Sequence, residues 1–424
     1  MRKKWIKFLD HLIEYSLYIM IIQIPISKAG IEIFACLAIF AFCVKKILNT
    51  DFKLFLKPID LNFACFFGRQ VITKISNVKF GINFFLFCFI VFNTLSLLNS
   101  GPYFKKSLIA LLFKWGEYFL IFFAIEDTFY NHKRIRNAVF IFLSISILLS
   151  IDGLSQYFFG LEFLRHRNLG ITFQGVYAMT AAFNHYNDFG AYITVIFLMM
   201  LSLFISNKKW PYRLAYVPAL VLIETCLLLT FSRGSWIGSI LGLFLMLFVS
   251  RKYKEFIFIC GILIFTLIAL PGTKTMIARL NFILQAGGDT DRLIVWKIAL
   301  NMIKENPFLG KGLGTFMDYF SKRSSLTPQY AHNCFLQIWA ETGIFSLLSF
   351  ISFIMALLLR GIAVFKKTND YILLGILCGL LAFLVHSFFD TDLYSLQLAV
   401  LFWTVAGILA AAINIAPLRK KNIN

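Results

Sequence analysis

Twelve apolar stretches, each long enough or nearly so to cross a bilayer, dominate this chain and leave it few other ways to fold. They cover residues 8–26, 30–48, 80–99, 106–125, 137–159, 176–205, 214–231, 234–250, 255–271, 332–359, 371–389 and 393–413. A helix needs about 20 mostly apolar residues to span the hydrocarbon core. Backbone groups in that core must bond within their own segment, which favours helices. The expected fold is therefore all-α: a polytopic transmembrane helical bundle of about 12 spans, forming a single integral membrane domain over residues 1–424. Composition agrees, with 59% of the 424 residues hydrophobic and only 15% charged. A soluble domain carries about 25% charged residues. A soluble enzyme, a disordered tail and a disulfide-stapled secreted domain are all excluded. The 8 cysteines form no CxxC pair and no His/Cys metal spacing, so they read as small core hydrophobes. The start, Met1-Arg-Lys-Lys, resembles a signal sequence, but no small-residue cleavage site follows and an uncleaved first span is expected. Between the second and third spans, Leu61 to Phe67 is too short to cross and reads as interfacial.

The 41 basic residues outnumber the 21 acidic ones, for a net charge of +20. In a soluble protein this would suggest nucleic acid. Here the cations fall in clusters between spans, with no basic stripe on a soluble domain, and no nucleic-acid partner is expected. Counted from a cytoplasmic N-terminus, the segments on the inside hold 26 basic residues, and the short loops outside hold 6. Cytoplasmic loops carry the Lys/Arg excess. Both termini are thus expected in the cytoplasm, and the one long loop, 271–331, on the extracytoplasmic side. That loop should be partly helical. Asp289 or Thr290 can cap a helix running to Glu305, with Leu293, Ile294, Ile298 and Ile303 on one stripe and Asn306-Pro307 ending it.

Four local patterns on the outside half could carry chemistry. Thr230-Phe-Ser-Arg233-Gly-Ser-Trp236 sets an arginine at the junction of two spans, where it must reach water or an anion; alone it could simply snorkel. Gly234, Gly238 and Gly242 behind it make a close-packing face. Arg292 and Trp296 share a helix face, so the indole can orient a guanidinium for bidentate phosphate binding. The run from Asn306 through Gly310, Gly312 and Gly314 lacks the strand and the GK[ST] of a nucleotide loop. Its glycines allow a tight return to the membrane, a backbone anion nest being the weaker reading. Ala331-His332-Asn333 places a histidine at the outer mouth of a span, where a histidine is more often structural than catalytic. His166, between Arg165 and Arg167, is a second outside candidate, whereas His185 and His386 fall within spans.

Two Asp-Thr-Asp triplets, Asp289/Asp291 and Asp390/Asp392, could hold a divalent ion. A helix cap explains the first and a solvated turn the second, so no metal and no cofactor are expected. The remaining constellation is catalytic His332, Arg292 and Arg233, with Arg233, Arg292, Trp296, Asn333, Gly310 and Gly312 against the substrate. Arginines can offset charge on a phosphate leaving group while a histidine accepts a proton from an attacking hydroxyl.

TFSRGSW, RLIVWKIALNMIKENPFLGKGLGTF and AHNCFLQIWAETG in this order, with Phe183-Asn-His-Tyr-Asn187-Asp-Phe-Gly190 ahead of them, resemble the O-antigen ligase and O-antigen polymerase superfamily of bacterial membrane glycosyltransferases over 180–345. The resemblance implies a multi-pass protein of the bacterial inner membrane with its active site on the periplasmic side. It implies a glycan donor linked to undecaprenyl diphosphate, and lipid A-core or another glycan as acceptor. Arg233 and Arg292 would engage the diphosphate, and His332 would activate the acceptor hydroxyl without a metal. The single dominant outside loop favours a ligase over a polymerase. A transporter or flippase is the alternative from another class, resting on Lys114, Glu117, Asp152, Asp188 and Glu224, but no internal symmetry of the kind transporters show is visible.

Overall fold

The computed structural model describes residues 2–49, 81–171, 177–207, 209–255, 257–259, 261, 266, 290–324, 327 and 329–421. The protein is an all-α polytopic bundle, and 82% of the described residues are helical. In chain order the helices are α1 (Arg2–Ile26), α2 (Lys28–Asn49), α3 (Ile82–Leu95), α4 (Gly101–Thr128), α5 (His132–Phe159), α6 (Tyr186–Ser206), α7 (Val217–Leu229) and α8 (Arg233–Ser250). After these come α9 (Thr290–Glu305), α10 (Phe316–Ser321), α11 (Cys334–Thr368), α12 (Tyr371–His386) and α13 (Leu396–Lys421). Among the described residues, 9 helices are long and apolar enough to cross a membrane, and α12 is a shorter apolar helix. The expected span 255–271 and the piece Leu61 to Phe67 lie largely or wholly outside the described residues.

Two expectations shift. The span expected at 176–205 begins as helix only at Tyr186; ahead of it runs an irregular segment with a short antiparallel pair, Gly170–Ile171 against Tyr177–Ala178. In α9 the buried stripe is Val295, Ile298, Ala299, Met302 and Ile303, while Leu293 and Ile294 are exposed. The stripe follows the i, i+3, i+4, i+7 pattern, and two apolar side chains simply fall off it. The capping role expected of Asp289 or Thr290 lies outside the described side chains.

Small residues set how closely the helices approach, because lipid offers apolar side chains no advantage in meeting each other. A Cβ on Gly238 would stand 2.5 Å from the Ala382 carbonyl, and one on Gly242 would stand 3.1 Å from that of Cys378. On the other side of α12, Gly379 meets Val195 and Gly375 meets Met199. Helix α12 is therefore clasped between α6 and α8 through glycine seams. An aromatic stack of Phe89, Phe119, Phe122, Phe353 and Trp403 fills the space between α3, α4, α11 and α13.

The start of α1 and the last turns of α13 lie at one end of the bundle, where Asn414 donates to Glu126 at 2.9 Å. There Lys45 bonds Asp10 (2.6 Å) and Asp127 (3.0 Å), and Arg134 bonds Asp10 and Glu14 (both 2.7 Å). These pairs tie α1, α2, α4 and α5 together. The site described next occupies the opposite end.

Candidate functional site

Two breaks in helical structure shape this end. Helix α4 opens with a 3-10 turn and carries a π-helical turn over Ala110–Trp115. Helix α11 is interrupted at Gly343 (φ 83°, ψ 173°), which splits off a short segment, residues 334–342. The Asn306–Gly314 loop fits into that break. The Ile344 amide and the Trp339 indole both donate to the Pro307 carbonyl, at 3.0 and 3.1 Å. A Cβ on Gly343 would stand 1.9 Å from the Phe308 oxygen, and one on Gly310 would stand 2.3 Å from the Glu341 carbonyl. Both glycines adopt the left-handed region, so backbone strain and close approach require them together.

The glycine amides are taken up internally. Gly310 donates to the Asn306 carbonyl and Gly312 to that of Glu341, while Gly314 and Phe316 donate to the Glu341 carboxylate at 3.0 and 3.2 Å. The amides of Gly310 and Gly312, residues expected against the substrate, are thus bonded to backbone carbonyls, while the Glu341 carboxylate takes those of Gly314 and Phe316. Gln337 and Tyr394 also donate to Glu341, each at 3.2 Å.

His332 stands just before α11 with φ 47°, an unusual conformation for a non-glycine residue. Asn333 follows as the helix cap: its side-chain oxygen accepts from the Phe335 and Leu336 amides at 2.9 and 3.0 Å. That oxygen therefore serves as the cap of α11. Nδ1 of His332 lies 3.1 Å from Asp390 Oδ1, and Nε2 lies 3.3 Å from the Gln329 amide. A carboxylate only accepts, so this contact assigns a proton to Nδ1; Nε2 faces the Gln329 side-chain oxygen, also an acceptor, and carries a lone pair once that amide turns its NH2 toward the ring.

Asp390 and Asp392 are not a solvated turn. The Thr391 amide and the Asn187 side-chain amide complete the Asp390 shell at 2.8 and 3.0 Å. Burial raises the affinity of Asp390 for a proton, but the bond and charge of His332, with the charge of His386, outweigh it and hold this carboxyl well below the usual range. Asp392, two residues on and buried, bonds His386 Nδ1 and Ser387 Oγ, each at 2.8 Å. The other ring nitrogen of His386 reaches Ser232 Oγ at 3.4 Å. Ser232 precedes Arg233, the first residue of α8, and the His386 ring fills the space where a Gly234 Cβ would stand.

His185 and His386, expected inside spans, lie at helix ends in this same cluster: His185 caps α6 and His386 closes α12. Desolvation by surrounding side chains holds His185 below the usual imidazole value, Asp390 opposes this, and the charges of His332, His386 and Arg292 add to it. One neighbourhood therefore contains His185, His332, His386, Asp390 and Arg292. Arg292 and Trp296 are half-buried on α9. The Trp296 indole nitrogen is buried with no hydrogen-bond partner among the described residues. Arg233 is half-buried at the start of α8. His166 is exposed on the segment between α5 and α6. Sequence reasoning did not assign Asp390 and Asn187 as partners of His332: Asp390 reads there as part of a solvated turn and Asn187 only as part of the asparagine segment.

Several charges that suggested a transporter are used locally. Lys114 donates to the Tyr394 carbonyl at 3.1 Å, Asp152 accepts from the Phe163 amide at 2.6 Å and Glu224 accepts from Thr266 at 2.9 Å.

Residues 218–351 match a family model described as O-antigen ligase. That region contains Arg233, Arg292, Trp296, the glycine loop, His332, Asn333 and the Gly343 break. No curated protein matches the chain.

Proposed function

Starting from a chain of the O-antigen ligase and polymerase superfamily, we propose that it is a glycosyltransferase moving a glycan from undecaprenyl diphosphate to an acceptor hydroxyl, and that it acts as a ligase. The observation that carries this reading is the His332–Asp390 contact of 3.1 Å, set among Arg292, His185 and the Ser232–Arg233 junction. The acceptor oxygen attacks the anomeric carbon while the C–O bond to the diphosphate breaks, with inversion. The acceptor proton passes to Nε2 of His332, and Asp390 stabilises the resulting imidazolium. The leaving electron pair ends on undecaprenyl diphosphate, whose charge Arg233 and Arg292 offset in place of a divalent cation. Trp296 backs Arg292. Gly310 and Gly312 act through shape, by seating the loop in the α11 break.

The Lys/Arg distribution supports an inner-membrane protein with both termini cytoplasmic and this site on the periplasmic side. Lipid A-core is the proposed acceptor. The test combines purified protein with a lipid-diphosphate oligosaccharide, first alone and then with lipid A-core, and reads products by mass spectrometry with Arg292→Ala as control. Transfer only after lipid A-core is added supports the ligase. Elongation of the lipid-linked glycan in its absence makes the protein a polymerase. Neither product from the wild type refutes glycosyl transfer.

A further inference from the structure

We infer that the segment Phe158 to Arg167, following α5, is a binding site for the phosphate of an anionic lipid, seated in the headgroup layer at the site end of the bundle. Helix α5 has 28 residues and is about 42 Å long at 1.5 Å per residue, against a hydrocarbon core of about 30 Å. Its end and the residues beyond it therefore reach the polar boundary. Yet Phe158, Phe159, Leu161, Phe163 and Leu164 are 48%, 76%, 59%, 64% and 37% exposed. Such a run faces water unfavourably and suits an acyl-chain boundary.

The basic triplet Arg165-His166-Arg167 follows directly. Its backbone is fixed from beneath: the Glu162 carboxylate, 5% exposed, accepts from the amides of Arg165 and Arg167, and Asp152, 2% exposed, accepts from that of Phe163. Gln156 donates to the Arg167 carbonyl at 2.9 Å. These bonds hold His166 in the left-handed region (φ 52°). Both buried carboxylates are thus engaged with backbone, and among the described residues no carboxylate pairs with the side chains of Arg165, His166 or Arg167. The Arg167 Nε is buried with no hydrogen-bond partner. A guanidinium with an unfilled donor beside an apolar wedge fits a phosphate that arrives with its own acyl chains. The segment also packs toward the site, since a Cβ on Gly170 would touch Thr180 and Tyr186, next to His185.

The inference does not depend on the transfer chemistry. The test places the full-length protein in nanodiscs of phosphatidylcholine with a minor fraction of phosphatidic acid and counts retained phosphatidic acid by native mass spectrometry. The wild type should retain it, and the double variant Arg165→Gln/Arg167→Gln should retain it about 30-fold more weakly, at a factor of about five per arginine near a membrane surface. Phe159→Ser/Phe163→Ser should also weaken retention, whereas Lys322→Gln, an exposed cation on another loop, should not. Equal retention by the wild type and the double arginine variant overturns the inference. So does equal weakening by Lys322→Gln, which would mark general surface charge. Full displacement by soluble glycerol phosphate overturns the lipid assignment and leaves a free-phosphate site. Unchanged melting of the variants separates loss of the site from loss of the fold.

Discussion

Asp390→Asn tests the candidate catalytic geometry most directly, because it removes one charge and almost no volume. Oδ1 of Asp390 faces His332 Nδ1 at 3.1 Å and the Thr391 amide at 2.8 Å, while Oδ2 accepts from the Asn187 amide at 3.0 Å. All three neighbours donate, and an asparagine offers only one accepting end. With its oxygen toward His332, its NH2 meets the Asn187 NH2 unless that amide turns over. With its nitrogen toward His332, the ring must move its proton to Nε2, which removes the base. Loss of a charge-assisted bond costs about 1.5–3 kcal/mol, or about 10- to 150-fold in kcat. A population with the wrong tautomer would deepen this toward the roughly 10⁴-fold loss seen when the carboxylate of a catalytic triad becomes an amide. The assay is transfer from a lipid-diphosphate oligosaccharide across pH. Donor KM should stay unchanged, since no arginine contact is altered. Because the Asp390 carboxyl is held below the usual carboxylate range, its stabilising contribution is present above the unfolded value of about 4 and is lost only as pH falls through the lower folded value. It therefore stays ionised in the working range and is not the source of an acid limb. A variant within threefold of wild-type kcat, or one that raises donor KM instead, would refute the reasoning.

Arg292→Lys should be nearly as damaging as Arg292→Ala in kcat/KM, because a lysine cannot reproduce bidentate geometry; a lysine variant with most of the activity would count against this role. Gly343→Ala forces a Cβ within 1.9 Å of the Phe308 oxygen at φ 83° and should cost more than about 2 kcal/mol, read as a lower melting temperature and poor yield in detergent. Asp392→Asn weakens a buried 2.8 Å bond to His386 and should lower stability by about 1–3 kcal/mol, more than Asp390→Asn does in the same melting assay. Transfer should persist in EDTA; loss that Mg²⁺ or Mn²⁺ restores would show that the arginines do not act alone.

The parts of this protein that could be read from sequence are those written in local runs. Span positions, the glycine face at Gly234, Gly238 and Gly242, and the stop at Asn306-Pro307 depend on residues within a few turns of each other. The limits of such reading are equally physical. His185 and His386 sit in apolar runs that continue past the helix ends, so hydropathy placed them inside spans. Leu293 and Ile294 are as apolar as the stripe that is buried, and only the packing partners Phe316, Tyr319 and Ala331 select its phase. The triplet Asp390-Thr391-Asp392 has the composition of a solvated turn. Its burial follows from two histidines 58 and 6 residues away along the chain, a relation no local pattern contains.

That turn also explains how groups on separate helices can keep one geometry. His332 precedes α11, Arg233 opens α8, and Asn187 lies in the first turn of α6. Each is referred to the same three residues: His332 and Asn187 directly through Asp390, and the Ser232–Arg233 junction through His386 and Asp392. The Cys334 amide bonds the Ser387 carbonyl at 2.9 Å, which fixes the start of α11 to the end of α12. A helix end held only by side-chain packing against lipid could drift by an ångström, and displacement of that size costs about a hundredfold where reacting groups must align. Two histidine–carboxylate contacts from one short turn, the His386–Asp392 one fully buried, hold the base and the arginine to a common reference without placing a further charge between them. On this view the strained φ of His332 is maintained by the Asp390 bond on one side and the Asn333 cap on the other, so weakening either should loosen the histidine before it unfolds the bundle.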